Sequence, residues 1–425
     1  MTLLLLGLGI AVLLLLRVPV AFAILGPCLA YVILGGQSAG LSLRLAVAGI
    51  NSWPLLAVPL FILVGVLANH GGFADRLFDL ALAVFGRVRA SLGYVNIGVS
   101  LGFSWISGAA LADAAGLGKM EIPAMIRQGY PERFSAGITA ASTVIGPIMP
   151  PSIPAIIYAS LAAVSTSALF AAAVVPALLL VASLAFAVWL WSRGHDDLRG
   201  EPFGLARLRV ALVRGLGPLG APVIILGGIL SGWFTPTEAA AVGAVYILAL
   251  GFAYRTLRVR DLPRIVHEAA TTTAAITIIL AASSLLGWIL ARERVPQLVA
   301  DAMLGLTDNP VVFLLIVNLL LLLLGAVLEP TAALVISVPI LMPVALEFGV
   351  DPLHFGVVVI LNLMIGLLTP PIGGVLFVLG SVTAIPINRI FRGTAPFLVP
   401  LVAVLALITF WPRAVLWLPG LIGAP

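Results

Sequence analysis

Ile145-Gly146-Pro147-Ile148-Met149-Pro150-Pro151 and Ile365-Gly366-Leu367-Leu368-Thr369-Pro370-Pro371 are two copies of one pattern, an Ile-Gly step followed after three residues by a proline pair. They stand at an offset of 220 residues (365 against 145), and Pro123 falls on Pro343 and Ser142 on Asn362 at the same offset. Each copy interrupts an apolar segment, 135–162 or 355–379. Proline lacks an amide hydrogen and collides with the turn before it, so neither segment is expected to be one continuous helix.

Moving outward, the apolar segments 93–125 and 310–345 precede these breaks. Both are too long for one membrane pass. Each carries a small or polar interruption near its middle: Ser104-Trp105-Ile106-Ser107-Gly108 in the first, Gly325-Ala326-Val327-Leu328-Glu329-Pro330-Thr331 in the second. Half-length helices folding back there make re-entrant hairpins, which membranes tolerate only where protein or a water-filled cavity covers the exposed backbone. The order of long hairpin, polar connection and broken helix therefore occurs twice, an internal repeat spanning half the chain.

Composition agrees. Of 425 residues, 62% are hydrophobic and 9% charged, against about 25% charged in a soluble domain. The 22 basic and 17 acidic residues cannot cover a water-facing surface of this size. The apolar runs are too continuous for the alternating strands of a membrane barrel. Cys28 alone excludes a disulfide framework, and His70, His195, His267 and His354 are too scattered to hold a metal. The leucine-rich start lacks a basic region and a cleavage motif, so the segment 2–34 reads as a retained first helix. The expected class is an all-α polytopic membrane protein with inverted repeats, two re-entrant helical hairpins and two broken helices.

Arginines crowd 193–214 and 255–264, and the positive-inside rule places both stretches in the cytoplasm. Segments 217–232 and 237–253 must join them as a hairpin whose outer turn, Thr235-Pro236-Thr237-Glu238, reads as a capping box. Hairpin 93–125 then opens inward, hairpin 310–345 opens outward, and the repeats are inverted. Arg44, Arg292, Arg294 and Arg413 fall outside; Arg76, Arg87, Arg89, Lys119, Arg127, Arg133, Arg389 and Arg392 fall inside; Arg17 is undetermined. The N-terminus is expected inside and the C-terminus outside. Segments 73–88 and 292–305 read as amphipathic interfacial helices. The division is a first repeat over 1–192, a cytoplasmic loop over 193–216, and a connecting helix with the second repeat over 217–425.

Inverted repeats with broken helices are transporter architecture. Unwound backbone offers carbonyl oxygens suited to sodium, and half-helix N-termini carry partial positive charge suited to a carboxylate. The chain resembles the large membrane subunit of tripartite ATP-independent periplasmic (TRAP) transporters, nearly end to end. The resemblance is carried by Arg17-Val18-Pro19-Val20-Ala21-Phe22-Ala23, by Ile106-Ser107-Gly108 followed by Ala112-Asp113-Ala114-Ala115, and by Ile122-Pro123-Ala124-Met125. It continues through Ala141-Ser142-Thr143-Val144-Ile145-Gly146-Pro147, Pro150-Pro151-Ser152-Ile153-Pro154 and Phe234-Thr235-Pro236-Thr237-Glu238-Ala239-Ala240. Thr307-Asp308-Asn309-Pro310 and Gly366-Leu367-Leu368-Thr369-Pro370-Pro371 complete it.

The resemblance implies an elevator-type carrier of the ion-transporter superfamily in a bacterial inner membrane. It implies sodium-driven uptake of an organic acid, with sodium as the coupling ion. A small four-helix membrane subunit, not expected within this chain, and a periplasmic substrate-binding protein are the implied partners; no nucleic acid is involved. The chain is read as no enzyme, and it carries no phosphate-binding loop of the G-x-x-x-x-G-K-[ST] form.

The first sodium site is assigned to Ser104, Ser107, Gly108, Ser142, Thr143 and Gly146, and the second to Gly325, Glu329, Thr331, Asn362, Gly366 and Thr369. Substrate is expected against Pro147, Pro150, Ser152, Pro370 and Gly373. Asp113 is a further candidate, because a carboxylate in an apolar membrane stretch is expensive. Against these readings, serine, threonine and glycine also serve simply to pack helices closely. Asp113 could pair with Lys119 or cap its half-helix. Two other functions fit less of the sequence. A stand-alone sodium/dicarboxylate carrier of the same superfamily would need no binding protein. A subunit of an energy-coupling oxidoreductase would need a chain of embedded Lys, Glu and His, which the spans lack.

Overall fold

A computed structural model describes residues 2–16, 18–194, 198 and 204–423; Arg17, His195 and Arg199 lie outside the described residues. The described chain is helical throughout. Three short helices open it: α1 (Thr2–Leu15), α2 (Val20–Leu34) and α3 (Ala39–Ile50). The first repeat follows as α4 (Ala57–His70), α5 (Phe73–Phe85), α6 (Ser91–Ser107), α7 (Ala110–Arg127), α8 (Glu132–Ser142), α9 (Ile145–Ile148), α10 (Ile153–Ala162) and α11 (Thr166–Ser192). Connecting helices α12 (Leu205–Leu230) and α13 (Pro236–Ala253) lead to the second repeat. That repeat comprises α14 (Leu262–Arg292), α15 (Val295–Leu304), α16 (Pro310–Val327), α17 (Pro330–Glu347), α18 (Pro352–Gly366), α19 (Gly374–Thr383) and α20 (Ile387–Phe410). A short α21 (Pro412–Leu421) follows.

The offset of 220 residues carries one half onto the other. Ala110–Arg127 falls on Pro330–Glu347, and Glu132 of α8 falls on Pro352 of α18. Helices α6 and α7 form the first hairpin, α16 and α17 the second; α8 to α10 and α18 to α19 are the broken helices. Both proline pairs, Pro150-Pro151 and Pro370-Pro371, are cis. Helix starts follow local chemistry. Asp351 accepts from the amides of Leu353 and His354 at 2.8 and 3.1 Å, and Asn309 from Val311 at 2.9 Å. Thr235 and Glu238 close the expected capping box, with Thr235 N–H donating to Glu238 at 2.8 Å.

Among the described residues, eight helices are long and apolar enough to cross a membrane, or nine if the pair bent by 43° between Ile148 and Ile153 counts as one span. Large apolar side chains such as Leu34, Val223 and Val399 lie on the outside. In water that surface would aggregate; in a bilayer it faces lipid.

Three expectations need correction. Segment 2–34 is two helices, because Pro19 cannot donate and biases Val18 away from helical backbone; α1 and α2 pack on each other. A single first pass therefore no longer fixes the side of the N-terminus. Stretch 193–216 is loop only in part, since α12 begins at Leu205 and lays Ala211 and Gly215 toward the protein, Gly215 against Leu80 of α5. Helix α3, between the first two apolar segments, had no counterpart in the sequence reading.

The tightest joint is α8 on α20. A methyl group at Gly137 would lie 2.1 Å from the Gly393 carbonyl oxygen, and one at Gly393 would lie 1.9 Å from that of Arg133. Phe134 stacks on Trp191 of α11 beside this joint, ring centres 3.6 Å apart. Gly137→Val should therefore force the helices apart at a cost of about 1–3 kcal/mol or more. Its melting temperature in detergent should fall clearly below wild type. Gly227→Ala, with nothing within 4 Å of the added methyl, should melt as wild type does; equal melting of both variants would refute the close joint.

Candidate functional site

The two hairpin tips and the two breaks converge on one cavity of about 250 Å³. Ser107 and Gly108 come from the first tip, Glu329 and Thr331 from the second, Pro147 and Pro154 from the first break, and Met364 and Leu367 from the second. Helices α4 and α14 close it with Gly65, Asn69, Glu268 and Thr272. Three helices start at its wall: α7 with Ala110, α10 with Ile153 and α17 with Pro330. Their N-termini turn partial positive charge toward the same space; α10 and α17 carry side-chain caps, Ser152 and Glu329, and α7 has no side-chain cap.

The first tip is sealed by backbone contact. Gly108 sits in the left-handed region (φ 61°), and a Cβ there would come within 2.6 Å of the Pro151 carbonyl oxygen. Behind it, Asp113 is fully buried in the first turn of α7. The Ser107 hydroxyl lies beside the carboxyl group, and Oδ1 has no hydrogen-bond partner among the described residues. Gly146 of the first break lies directly against it, where a Cβ would be 2.4 Å from Oδ2. Asp113 and Ser107 from the first hairpin and Gly146 from the first break thus meet beside a buried carboxylate, one of whose oxygens has no hydrogen-bond partner among the described residues. That donor set fits a hard monovalent cation.

The other members of the first assignment are used differently. Ser104 and Thr143 donate to carbonyls of their own helices, Leu101 at 2.6 Å and Ala140 at 2.7 Å. Ser142 donates to Asn96 at 2.7 Å and accepts from Ser100 at 2.9 Å. Asn96 in turn donates to Glu121 at 2.5 Å and Thr139 at 2.7 Å. These three hydroxyls stitch α6 to α8 or bend back on their own turns; they do not join the Asp113 pocket.

In the second half, the backbones of Gly325 and Gly366 touch, and a Cβ on Gly366 would lie 2.6 Å from Gly325 Cα. The Ala326 carbonyl accepts from the amides of both Ile372 and Gly373 at 3.2 Å. Asn362 donates to Asn318 and to the Val358 carbonyl, both at 2.8 Å, and its buried Oδ1 has no partner. Thr369 donates to the Gly366 carbonyl at 2.8 Å. Glu329 is the N-cap of α17: it accepts from Thr331 Oγ1 at 2.9 Å and from Ala332 N at 3.2 Å. Its carboxylate is spent on its own helix, although it borders the cavity.

The substrate-lining set needs revision. Only Pro147 borders the cavity. Ser152 is buried, donates to the Pro147 carbonyl and caps α10 by accepting from Ala155. Pro150 is buried, Pro370 faces outward, and Gly373 is turned by φ 61° to bond Ala326. The sequence reading missed Asn69, Glu268 and Thr272 on the cavity wall, and Asn96, Glu121 and Asn318 behind the tips. Their shared signal is a polar side chain in or at the edge of an apolar run. Glu268 is held by His70 at 3.0 Å.

A family model described as “Tripartite ATP-independent periplasmic transporter, DctM component” matches residues 8–414. The chain is 45% identical over 411 residues to the sialic acid TRAP transporter large permease protein SiaM of Vibrio cholerae, covering 95% of each chain. It is 38% identical over 373 residues to the C4-dicarboxylate TRAP transporter large permease protein DctM of Pseudomonas aeruginosa, covering 87% of each. The crystal structure of the Alcanivorax borkumensis YdaH transporter, which has an unusual topology, aligns with a TM-score of 0.60 over 86% of each chain. At 14% identity that likeness is one of fold alone.

The Asp113 pocket yields a direct test. Gly146→Ala places a methyl where the carboxylate stands, so Asp113 must move. Substrate uptake by reconstituted protein should fall at least about tenfold, the scale of one lost charge-assisted contact. Ser104→Ala, which removes a hydroxyl bonded within its own helix, should retain more than half of wild-type uptake. The reverse ranking would place the pocket elsewhere.

Proposed function

The chain belongs to the tripartite ATP-independent periplasmic transporter family as its DctM component, the large permease subunit, and on that premise we propose that it imports a small organic acid by sodium-coupled, elevator-type alternating access. It is a multi-pass membrane transporter subunit and not an enzyme. The observation that carries the proposal is the shared cavity, where two hairpin tips, two broken helices and three helix N-termini meet.

The N-termini of α7, α10 and α17 favour an anion in the cavity. The two acids on its wall do not oppose this strongly: Glu329 is occupied by its own helix and Glu268 by His70. A volume of about 250 Å³ suits a small ligand. The named relatives take up sialic acid and C4-dicarboxylates, both carboxylates, and a carboxylate is the class proposed here. Sodium is proposed to ride at Asp113, Ser107, Gly108 and Gly146, and beside Asn362, Gly325 and Gly366 in the second half. Neutralising a buried carboxylate as the cation enters would couple ion binding to closure of the first tip. The tips and breaks would move as one body against α4 and α14. The partners proposed are a small four-helix membrane subunit and a periplasmic substrate-binding protein. The membrane is proposed to be the bacterial inner membrane, with the arginine clusters on its cytoplasmic side.

Proteoliposomes test the reading. Uptake of a labelled acid should require both membrane subunits, the binding protein and an inward sodium gradient. Uptake by this chain alone would support the stand-alone carrier instead, and uptake indifferent to sodium would overturn the coupling. In the complete system, Asp113→Asn should raise the sodium concentration for half-maximal uptake about 10- to 100-fold, the scale of a hydrogen-bonded buried charge. An unchanged sodium dependence would remove Asp113 from the ion site.

A further inference from the structure

A second concavity, larger than the cavity between the tips, serves none of the chemistry above. It is a groove of about 1030 Å³ on the outer face of the second-half helix α20, walled on the other side by α11. Its lining is apolar along most of its length, with Phe134, Trp191 and Phe397 at one end and Leu179 and Leu407 at the other. From Arg392 to Leu407 it follows α20 for about 22 Å, at 1.5 Å per residue. One leaflet with its headgroup region is about 20–22 Å deep, so the groove runs the depth of a leaflet.

Its charged end is asymmetric. Four arginines cluster there, and two are engaged: Arg389 with Glu132 at 3.3 Å, and Arg193 over the Trp189 ring at 3.8 Å. Arg133 and Arg392 line the groove mouth, are exposed, and make no ion pair among the described residues. The mouth therefore offers two uncompensated guanidinium groups beside tryptophans, the arrangement expected where a headgroup region begins. Positive-inside placement puts this end in the cytoplasmic leaflet, which holds anionic lipid.

We propose that this groove binds one anionic phospholipid, its phosphate at Arg133 and Arg392 and an acyl chain laid between α11 and α20. A phospholipid supplies an anion and a long apolar chain in one molecule, in the order the groove presents them. A partner helix would have to bring an acid to this level as well as an apolar stripe. Bound lipid would also cover the α8–α20 joint, whose Gly393 lines the groove beside Phe134.

Native mass spectrometry of the purified chain with an equimolar mixture of phosphatidylglycerol and phosphatidylcholine tests this. Two arginines at about 1 kcal/mol each correspond to roughly a 30-fold preference for phosphatidylglycerol adducts. The Arg133→Gln/Arg392→Gln double variant should bind both lipids alike, and each single variant should fall between. Ala403→Trp, which fills the groove, should reduce adducts of both lipids. Equal adducts on the wild-type chain, or a double variant that keeps the preference, would overturn the proposal. So would a photo-crosslinker at Ala182 that captures the small membrane subunit in place of lipid.

Discussion

Every interrupted helix in this molecule must hide its freed backbone from lipid, and that constraint organises the rest. Hydrocarbon offers no partner to a loose amide or carbonyl. The chain meets the requirement by pressing backbone against backbone. Gly325 meets Gly366, Gly108 meets the Pro151 carbonyl, and the Ala326 carbonyl takes two amides from the second break. Side chains would hold these segments apart, so the tips and breaks are built from glycine and proline.

The same geometry creates the electrostatics. Hairpins that fold back at mid-membrane bring the N-termini of α7 and α17 inward, and the first break adds α10. Positive helix ends gathered in one place invite negative charge. Two carboxylates of the chain take up that invitation unequally. Glu329 satisfies the start of α17 with two accepted hydrogen bonds, whereas Asp113 keeps a buried oxygen without a donor. A saturated cap stabilises its helix; the unpartnered Asp113 oxygen is what the proposed cation would satisfy. The repeats are related in backbone and divergent in chemistry, as Asp113 opposite Ala333 at the offset of 220 already implies.

The architecture was legible because its signals are backbone signals. Proline pairs, small-residue tips and the constant offset survive in a single sequence, and the observed helix limits follow them closely. The side-chain sites were less legible. Ser104, Ser142 and Thr143 lie near the tip in sequence, yet a hydroxyl inside a helix finds its own i−3 carbonyl or a neighbouring helix first. Asn96, Glu121 and Asn318 act across helices, and only the packing of α6 on α7 and α8 and of α16 on α18 reveals their partners. The split of 2–34 was hidden for the opposite reason. Arg17 and Pro19 are its only marks in a stretch that is otherwise almost wholly apolar on both sides.

Inverted repeats leave one further consequence in the exposure of the two halves. The first tip and break are closed over: Ser107, Gly108 and the run from Pro147 to Ile153 are buried. The second tip and break are open, with Val327, Glu329 and the run from Pro370 to Ile372 exposed. Identical exposure of both halves would describe a cavity sealed, or leaking, on both sides at once. A carrier that avoids a continuous pore must instead hold its halves in unequal states. Under the proposed mechanism, the backbone relation between the halves then supplies the second state without a second fold: the same two kinds of break exchange which one is covered. The motion proposed above would slide the tip where Gly65 of α4 meets Ser107, a contact with a Cβ clearance of only 3.3 Å to the serine Cα. Small residues there bring the helix close to the tip without interlocking side chains, so the seal, Gly108 on Pro151, and the contact that would slide under the proposed mechanism, Gly65 on Ser107, lie at neighbouring residues of one tip.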